Sequence, residues 1–178
     1  MFIFVLGYMA SGKTTFGKAL AEKLNYRFID LDQFIVENYG AEISEIFEKN
    51  GEEGFREIEK EMLRKTLSSE ENTVVACGGG TPCFFDNMEF MNREGLTVFM
   101  ETSTPVLIER LQAENEKRPL VAGKSDEEIR EKVLSQLCDR LPFYMEAKLK
   151  WHGDDLENQE MIENNVKNFI SSYPSVFR

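Results

Sequence analysis

The stretch that most constrains this chain is Gly7-Tyr8-Met9-Ala10-Ser11-Gly12-Lys13-Thr14. It fits G-x-x-x-x-G-K-[ST], a pattern in which backbone N–H groups cradle phosphates. Phe2-Ile3-Phe4-Val5-Leu6 runs into it, apolar and of strand length. Phe16, Ala19, Leu20 and Leu24 follow at helical spacing among charged residues. A strand, a glycine-rich turn and a helix in that order are what anion binding needs. Glycine lets the main chain close on the anion, and the first N–H groups of the helix meet it at the positive end of the dipole. On this reading Gly7, Ala10, Ser11, Gly12, Lys13, Thr14 and Thr15 hold a nucleotide, with Lys13 on the β- and γ-phosphates and the Thr14 hydroxyl on Mg²⁺. ATP and Mg²⁺ are the expected cofactors. The bland alternative, a chance glycine-rich turn, does not explain the flanking strand and helix.

With 178 residues the chain suits one domain, expected to span 1–178. A net charge of −11 argues against nucleic-acid binding, which would show a basic stripe. It also requires that the cations meeting an anionic nucleotide be locally concentrated. Cys77, Cys83 and Cys138 have no metal-ligand spacing and point to reduced thiols. The N-terminus has no basic segment or cleavage site before the loop, and no apolar run is long enough to span a bilayer. A cytoplasmic monomer with no membrane partner is expected.

Five segments read as strands: Phe2–Leu6, Arg27–Ile29, Thr73–Cys77, Leu96–Met100 and Ala147–Trp151. Amphipathic helical stretches alternate with them, which implies an α/β fold with a parallel sheet and helices on both faces. A helix is predicted over Ile43–Asn50, ending at Gly51, and another from Gly54. Ile129, Val133, Leu137 and Leu141 form an i, i+4 stripe that predicts core packing, and a terminal packing helix contains Met161–Ile170. His152, the only histidine, is placed in a polar turn and given no catalytic role.

Several residues fall where strands end, the place where ligands gather in open α/β sheets. Asp30 and Asp32 follow the second strand. Either acid could serve Mg²⁺ or accept a proton from a substrate hydroxyl; alternatively Asp32 is a helix N-cap and Asp30 a solvated turn residue. The third strand runs into Gly78-Gly79-Gly80, where many P-loop enzymes carry a metal-binding aspartate. That leaves Asp30 as the metal carboxylate and the glycines as a substrate wall. Arg56, near a helix start where a cation is disfavoured, is read either as awaiting a carboxylate or as the partner of Glu59 three residues on. Arg110 and Arg118 flank or occupy the polar stretch 112–126, which reads as a lid or as an ordinary charged loop. Arg140 sits near a helix C-terminus, favourable to a cation in any case.

Taken together these residues resemble the shikimate kinase family, a small member of the nucleoside-monophosphate-kinase-like P-loop group. The matches are Gly7–Thr14, Asp30 with Asp32, Phe55-Arg56 with Glu59, Gly78-Gly79-Gly80, Arg118-Pro119-Leu120, and Arg140 with Pro142 and Tyr144. The resemblance implies a three-layer α/β/α fold with a five-stranded parallel sheet, a substrate region at about 32–62 and a lid at about 112–126. It implies phosphorylation of the shikimate 3-hydroxyl by ATP. Asp32 then takes the hydroxyl proton, and Arg56, Arg140 and the glycines 78–80 hold the substrate, with Phe47 and Phe55 as apolar contacts. Asp30 and Thr14 serve the metal, Arg118 the phosphates and Arg110 the adenine ring. Two departures stand out. Ala10 occupies a position where members often carry glycine, and residues 152–160 lack the expected proline-containing adenine loop. Another small-molecule kinase on this fold, such as a gluconate or nucleoside monophosphate kinase, and a non-catalytic nucleotide binder are the competing readings.

Overall fold

A computed structural model describes residues 1–113 and 123–177. Five strands form one parallel sheet: β1 (Phe2–Leu6), β2 (Arg27–Asp30), β3 (Thr73–Ala76), β4 (Leu96–Glu101) and β5 (Leu149–His152), in the order β2-β3-β1-β4-β5. The central strand β1 has to be apolar throughout because helices cover both sides of it. Ile3 and Val5 point into one core with Phe16, Leu20 and Val98. Phe4 and Leu6 point into the other with Leu31, Leu63 and Met91. Helices α1 (Lys13–Leu24) and α7 (Gln159–Ser172) cover the first face. Helices α2 (Leu31–Tyr39), α3 (Ile43–Lys65) and α4 (Asn87–Glu94) cover the second. Beyond β4, α5 (Thr104–Ala113) and α6 (Asp126–Tyr144) pack with Tyr8 and Phe99 in a third apolar cluster. The sheet and its two covering layers are the α/β/α arrangement expected.

Strand order reverses at β1: the chain goes outward to β2, returns through β3, and continues on the other side with β4. The crevice at the carboxyl ends of β1 and β3 is therefore the place for a ligand. Gly7–Gly12 and Gly78–Gly80 follow those two strands.

The boundaries differ from the sequence expectation at several ends. β2 runs on to Asp30, β3 stops at Ala76, and β4 continues to Glu101. β5 starts two residues later and ends one later than expected: Ala147 lies in the turn after α6, its N–H donating to the Tyr144 carbonyl, and His152 ends the strand. An edge strand paired only with β4 takes its start from that register, Leu149 opposite Val98, rather than from its own apolar pattern. Gly51 breaks α3 where the sequence ended a helix, with φ 68° and ψ −176°. The stripe on α6 is core only in part. Ile129 and Val133 are buried, but Leu141 is 42% exposed: a strict i, i+4 row turns about 40° around the helix at each step, so Leu141 has left the face on which Tyr144 still buries itself.

Ala10 has φ 62°, in the left-handed region. That backbone costs an alanine about 1 kcal/mol, of which a glycine gives back part through the freer unfolded chain. Ala10→Gly should therefore stabilise the protein by about 0.5 kcal/mol. The readout is a higher urea midpoint at unchanged m-value.

Candidate active site

Between the two glycine-rich segments lies a cavity of about 480 Å³, lined by Lys13, Thr14, Thr15, Asp30, Asp32 and Gly78 among others. Its floor is the N-terminus of α1. That helix has no side-chain cap and no acid in its first turn, so its first N–H groups and the dipole are left to an anion. Gly12 precedes the helix with φ 90°, a left-handed backbone that favours glycine, and a Cβ there would displace the end of the Leu156 side chain. The Lys13 ammonium donates to the Tyr8 carbonyl at 2.7 Å, curled over its own loop. Ser11 is buried with its hydroxyl unpaired and directed toward Gly7; neither residue's side lines the cavity.

Asp30 joins the two halves of the site. One carboxylate oxygen caps α2, accepting from the Asp32 and Gln33 N–H groups; the other accepts the Thr14 hydroxyl at 2.8 Å. The N-cap is thus Asp30 rather than Asp32, and the side chain of Asp32 is released to the cavity. Asp32 opens onto that space yet lies deep within the protein mass. Desolvation, with Asp30 and Glu59 nearby, pushes its carboxyl up to about 6, against the pull of Lys13 and Arg56. A carboxyl so tuned is poised to exchange a proton near neutrality. Thr14 and Asp30 present hard oxygens at the helix start, a donor set that fits Mg²⁺ completed by phosphate and water. Among the described residues no group of three or more His, Cys, Asp or Glu could hold a metal by itself.

Arg56 and Arg140 both border the glycine triplet. Arg56 is 8% exposed and pairs with the buried Glu59 at 2.8 Å, with Glu52 at 3.4 Å from its other nitrogen. Arg56 thus has the Glu59 partner three residues on, and its buried Nε–H is without one. A Cβ on Gly80 would meet the guanidinium at 2.7 Å, which ties that glycine to the arginine. Arg140 lies over the Tyr8 ring at 5.6 Å, and a Cβ on Gly79 would be 3.4 Å from its Nη1. Gly78 abuts Asp32 and Glu59. Phe47 and Phe55 stack at 4.3 Å beside this end.

Arg110 is fixed from three sides, donating to the carbonyls of Ala10, Gly153 and Asp154. It ties the phosphate loop to residues 153–157, whose Leu156 and Glu157 also line the cavity. Those two carry no signal at the level of sequence, because the segment lacks the expected pattern. Tyr8 and Tyr144 stand within motifs read from the sequence, which assigns neither a role. Tyr8 donates to Gln136 at 2.8 Å, and Tyr144 donates to the Gly79 carbonyl at 2.5 Å while stacking on Phe99. They brace the loops from α6. Burial pushes the Tyr8 phenol up to about 12, so it stays a donor. Arg118 and most of the 112–126 stretch lie outside the described residues.

Residues 9–171 match the family model described as Shikimate kinase. A shikimate kinase of Bacteroides thetaiotaomicron is 47% identical over 165 residues, 93% of this chain and 94% of that one. One of Phocaeicola vulgatus is 47% identical over 164 residues, 92% and 93% of the two chains. The crystal structure of the B. thetaiotaomicron enzyme superposes with a TM-score of 0.93 at 44% identity, covering 98% of each chain. That of an Acinetobacter baumannii shikimate kinase in complex with shikimate gives 0.84 at 32% identity, covering 98% of this chain and 93% of that one.

Asp32 binds its proton more tightly in the folded chain, near 6, than at its ordinary 3.8. Ionising it therefore opposes folding. The opposition is absent below about pH 4, grows from there to about pH 6 and is complete above. Asp32→Asn removes it. The variant should melt above the wild type at pH 8, and the gap should close as the pH is lowered toward 4 in a series of thermal scans.

Proposed function

The chain belongs to the shikimate kinase family, and from that premise we propose that it transfers the γ-phosphoryl group of ATP to the 3-hydroxyl of shikimate, giving shikimate 3-phosphate on the route to chorismate and the aromatic amino acids. The observation that supports this best is the arrangement across one cavity. A helix N-terminus with Lys13 faces a carboxylate, Asp32, and the glycine wall behind it is backed by two arginines.

The phosphates rest on the N–H groups of Lys13, Thr14 and Thr15, and Lys13 turns from the Tyr8 carbonyl to the β- and γ-oxygens. Thr14 and Asp30 would hold Mg²⁺, which when bound supplies charge neutralisation on those oxygens. Arg56 and Arg140 clamp the shikimate carboxylate, so a rigid ring is oriented as well as bound. Gly78, Gly79 and Gly80 let that ring lie against the main chain. Asp32 orients the 3-hydroxyl and takes its proton as the oxygen attacks phosphorus in line with the departing ADP. Arg110, its guanidinium fixed by three carbonyls, offers a flat face for adenine. Arg118 is assigned the phosphates from its motif with Pro119 alone, since it lies outside the described residues. The reading is of a monomer acting in the cytoplasm on a small molecule. Among the described residues no helix is long and apolar enough to cross a membrane.

A coupled ADP-release assay with MgATP and a panel of shikimate, quinate, gluconate, AMP and CMP tests the assignment. Turnover with shikimate is expected; turnover only with another acceptor would overturn it. Asp32→Asn should lower kcat at least about 100-fold while calorimetry finds ATP binding within about threefold of wild type. Arg140→Ala should raise the shikimate KM about tenfold or more, the loss of a charge-assisted pair. In the wild type, kcat/KM for shikimate should fall about tenfold per pH unit below about pH 6, as Asp32 takes up its proton. A flat profile from pH 5 to 7 would remove Asp32 from the role of base.

A further inference from the structure

The segment after the glycine triplet docks on α3 through three successive contacts. Phe84 lays its ring under the Arg56 guanidinium, 4.1 Å from the centroid. Phe85 carries the Lys60 ammonium at 4.5 Å. Arg64 then pairs with Asp86 at 2.6 Å and donates to Asn87 at 3.1 Å. Arg56, Lys60 and Arg64 are four residues apart, so they form one ridge of α3. Asn87, fully buried, donates back to the Thr81 carbonyl, and the Thr81 hydroxyl donates to Glu59 at 2.6 Å. The circuit closes on Arg56 through Glu59.

Phe85 stands at φ 51°, a conformation that a bulky aromatic residue adopts only when its surroundings impose it. The turn sends two consecutive rings to two successive cations of one helix, which an extended strand would have pointed to opposite sides. The strain is placed where it aims Phe84 at Arg56.

We propose that Phe84 is a positioning residue for acceptor binding: its ring holds the guanidinium of Arg56 in the plane that receives the acceptor's carboxylate. This rests on the acceptor reading above. An arginine is a long side chain, and fixing it before the ligand arrives spares that ordering at the moment of binding. Glu59 holds one nitrogen, the Phe84 face sets the plane, and the bare backbone of Gly80 leaves room for both.

Steady-state kinetics of the full chain with shikimate and MgATP tests it. Phe84→Leu should raise the shikimate KM about five- to tenfold while kcat and the ATP KM stay within about twofold. Phe84→Tyr, which keeps the face, should restore the wild-type KM. Arg64→Ala, which loosens the outer contact, should lower the melting temperature and leave the shikimate KM unchanged. In an Arg56→Ala background, Phe84→Leu should add less than about twofold. A folded Phe84→Leu with an unchanged shikimate KM overturns the proposal, as does an equal rise in Arg64→Ala, which would mean general loosening. If Phe84→Leu does not fold, Phe84→Met, apolar and without a π face, is read by the same two outcomes. A wild type idle with shikimate would instead overturn the acceptor reading beneath it.

Discussion

The site depends on a single carboxylate that bonds in two directions. Asp30 caps α2 with one oxygen and receives the Thr14 hydroxyl with the other. The first bond fixes where α2 begins and so where Asp32 points. The second fixes that helix to the start of α1, the proposed phosphate site. Two halves that the sequence separates by more than a strand and a helix are thereby set at one spacing, which in-line transfer needs. Either function alone could be met by other residue types. A short acid at the last position of β2 meets both.

Electrostatically the molecule resolves a conflict between its global and local charge. The whole chain is acidic, at −11, yet Lys13 and Arg110 line one cavity, and Arg56 and Arg140 stand beside the glycines 80 and 79 next to it. Glu59 limits the local excess by pairing with Arg56, and the carbonyls of residues 10, 153 and 154 do the same for Arg110. Such cations stay oriented in the absence of ligand. The same enclosure that strengthens their pull on anions raises the Asp32 carboxyl, because desolvation acts on every charge in the crevice.

How much of this was legible follows from how local each signal is. The phosphate loop could be read because strand, turn and helix are contiguous, and the acids and glycines because each ends a strand. The break at Gly51 was visible from one residue type. The start of β5 was not, since its register is dictated by β4. Leu156 and Glu157 reach the cavity from a segment with no recognisable pattern, held there by Arg110 and by the absence of a Cβ on Gly12. Tyr8, Tyr144 and Phe84 act through partners 128, 65 and 28 positions away in the chain, Gln136, Gly79 and Arg56. Single-sequence periodicity says nothing about such pairs. Leu141 reads as core because its i, i+4 spacing looks like one face, whereas such a row drifts around the helix and has left the buried side by its fourth member.

The strand order also has a consequence for synthesis. β1 is made first and lies at the centre, with Thr73 as the first residue of its β3 partner and Leu96 the first of β4. At about 5–20 residues per second, a ribosome needs roughly 3–13 s after finishing β1 to add the residues up to Thr73. Throughout that interval Phe2–Leu6, the most apolar strand in the sheet, has no ladder partner. The phosphate loop it carries has no opposing wall until Gly78–Gly80 emerge. The nascent chain therefore passes through a stage in which its nucleotide motif is complete as sequence but not as a site, and its central strand is the segment most in need of shelter from other chains.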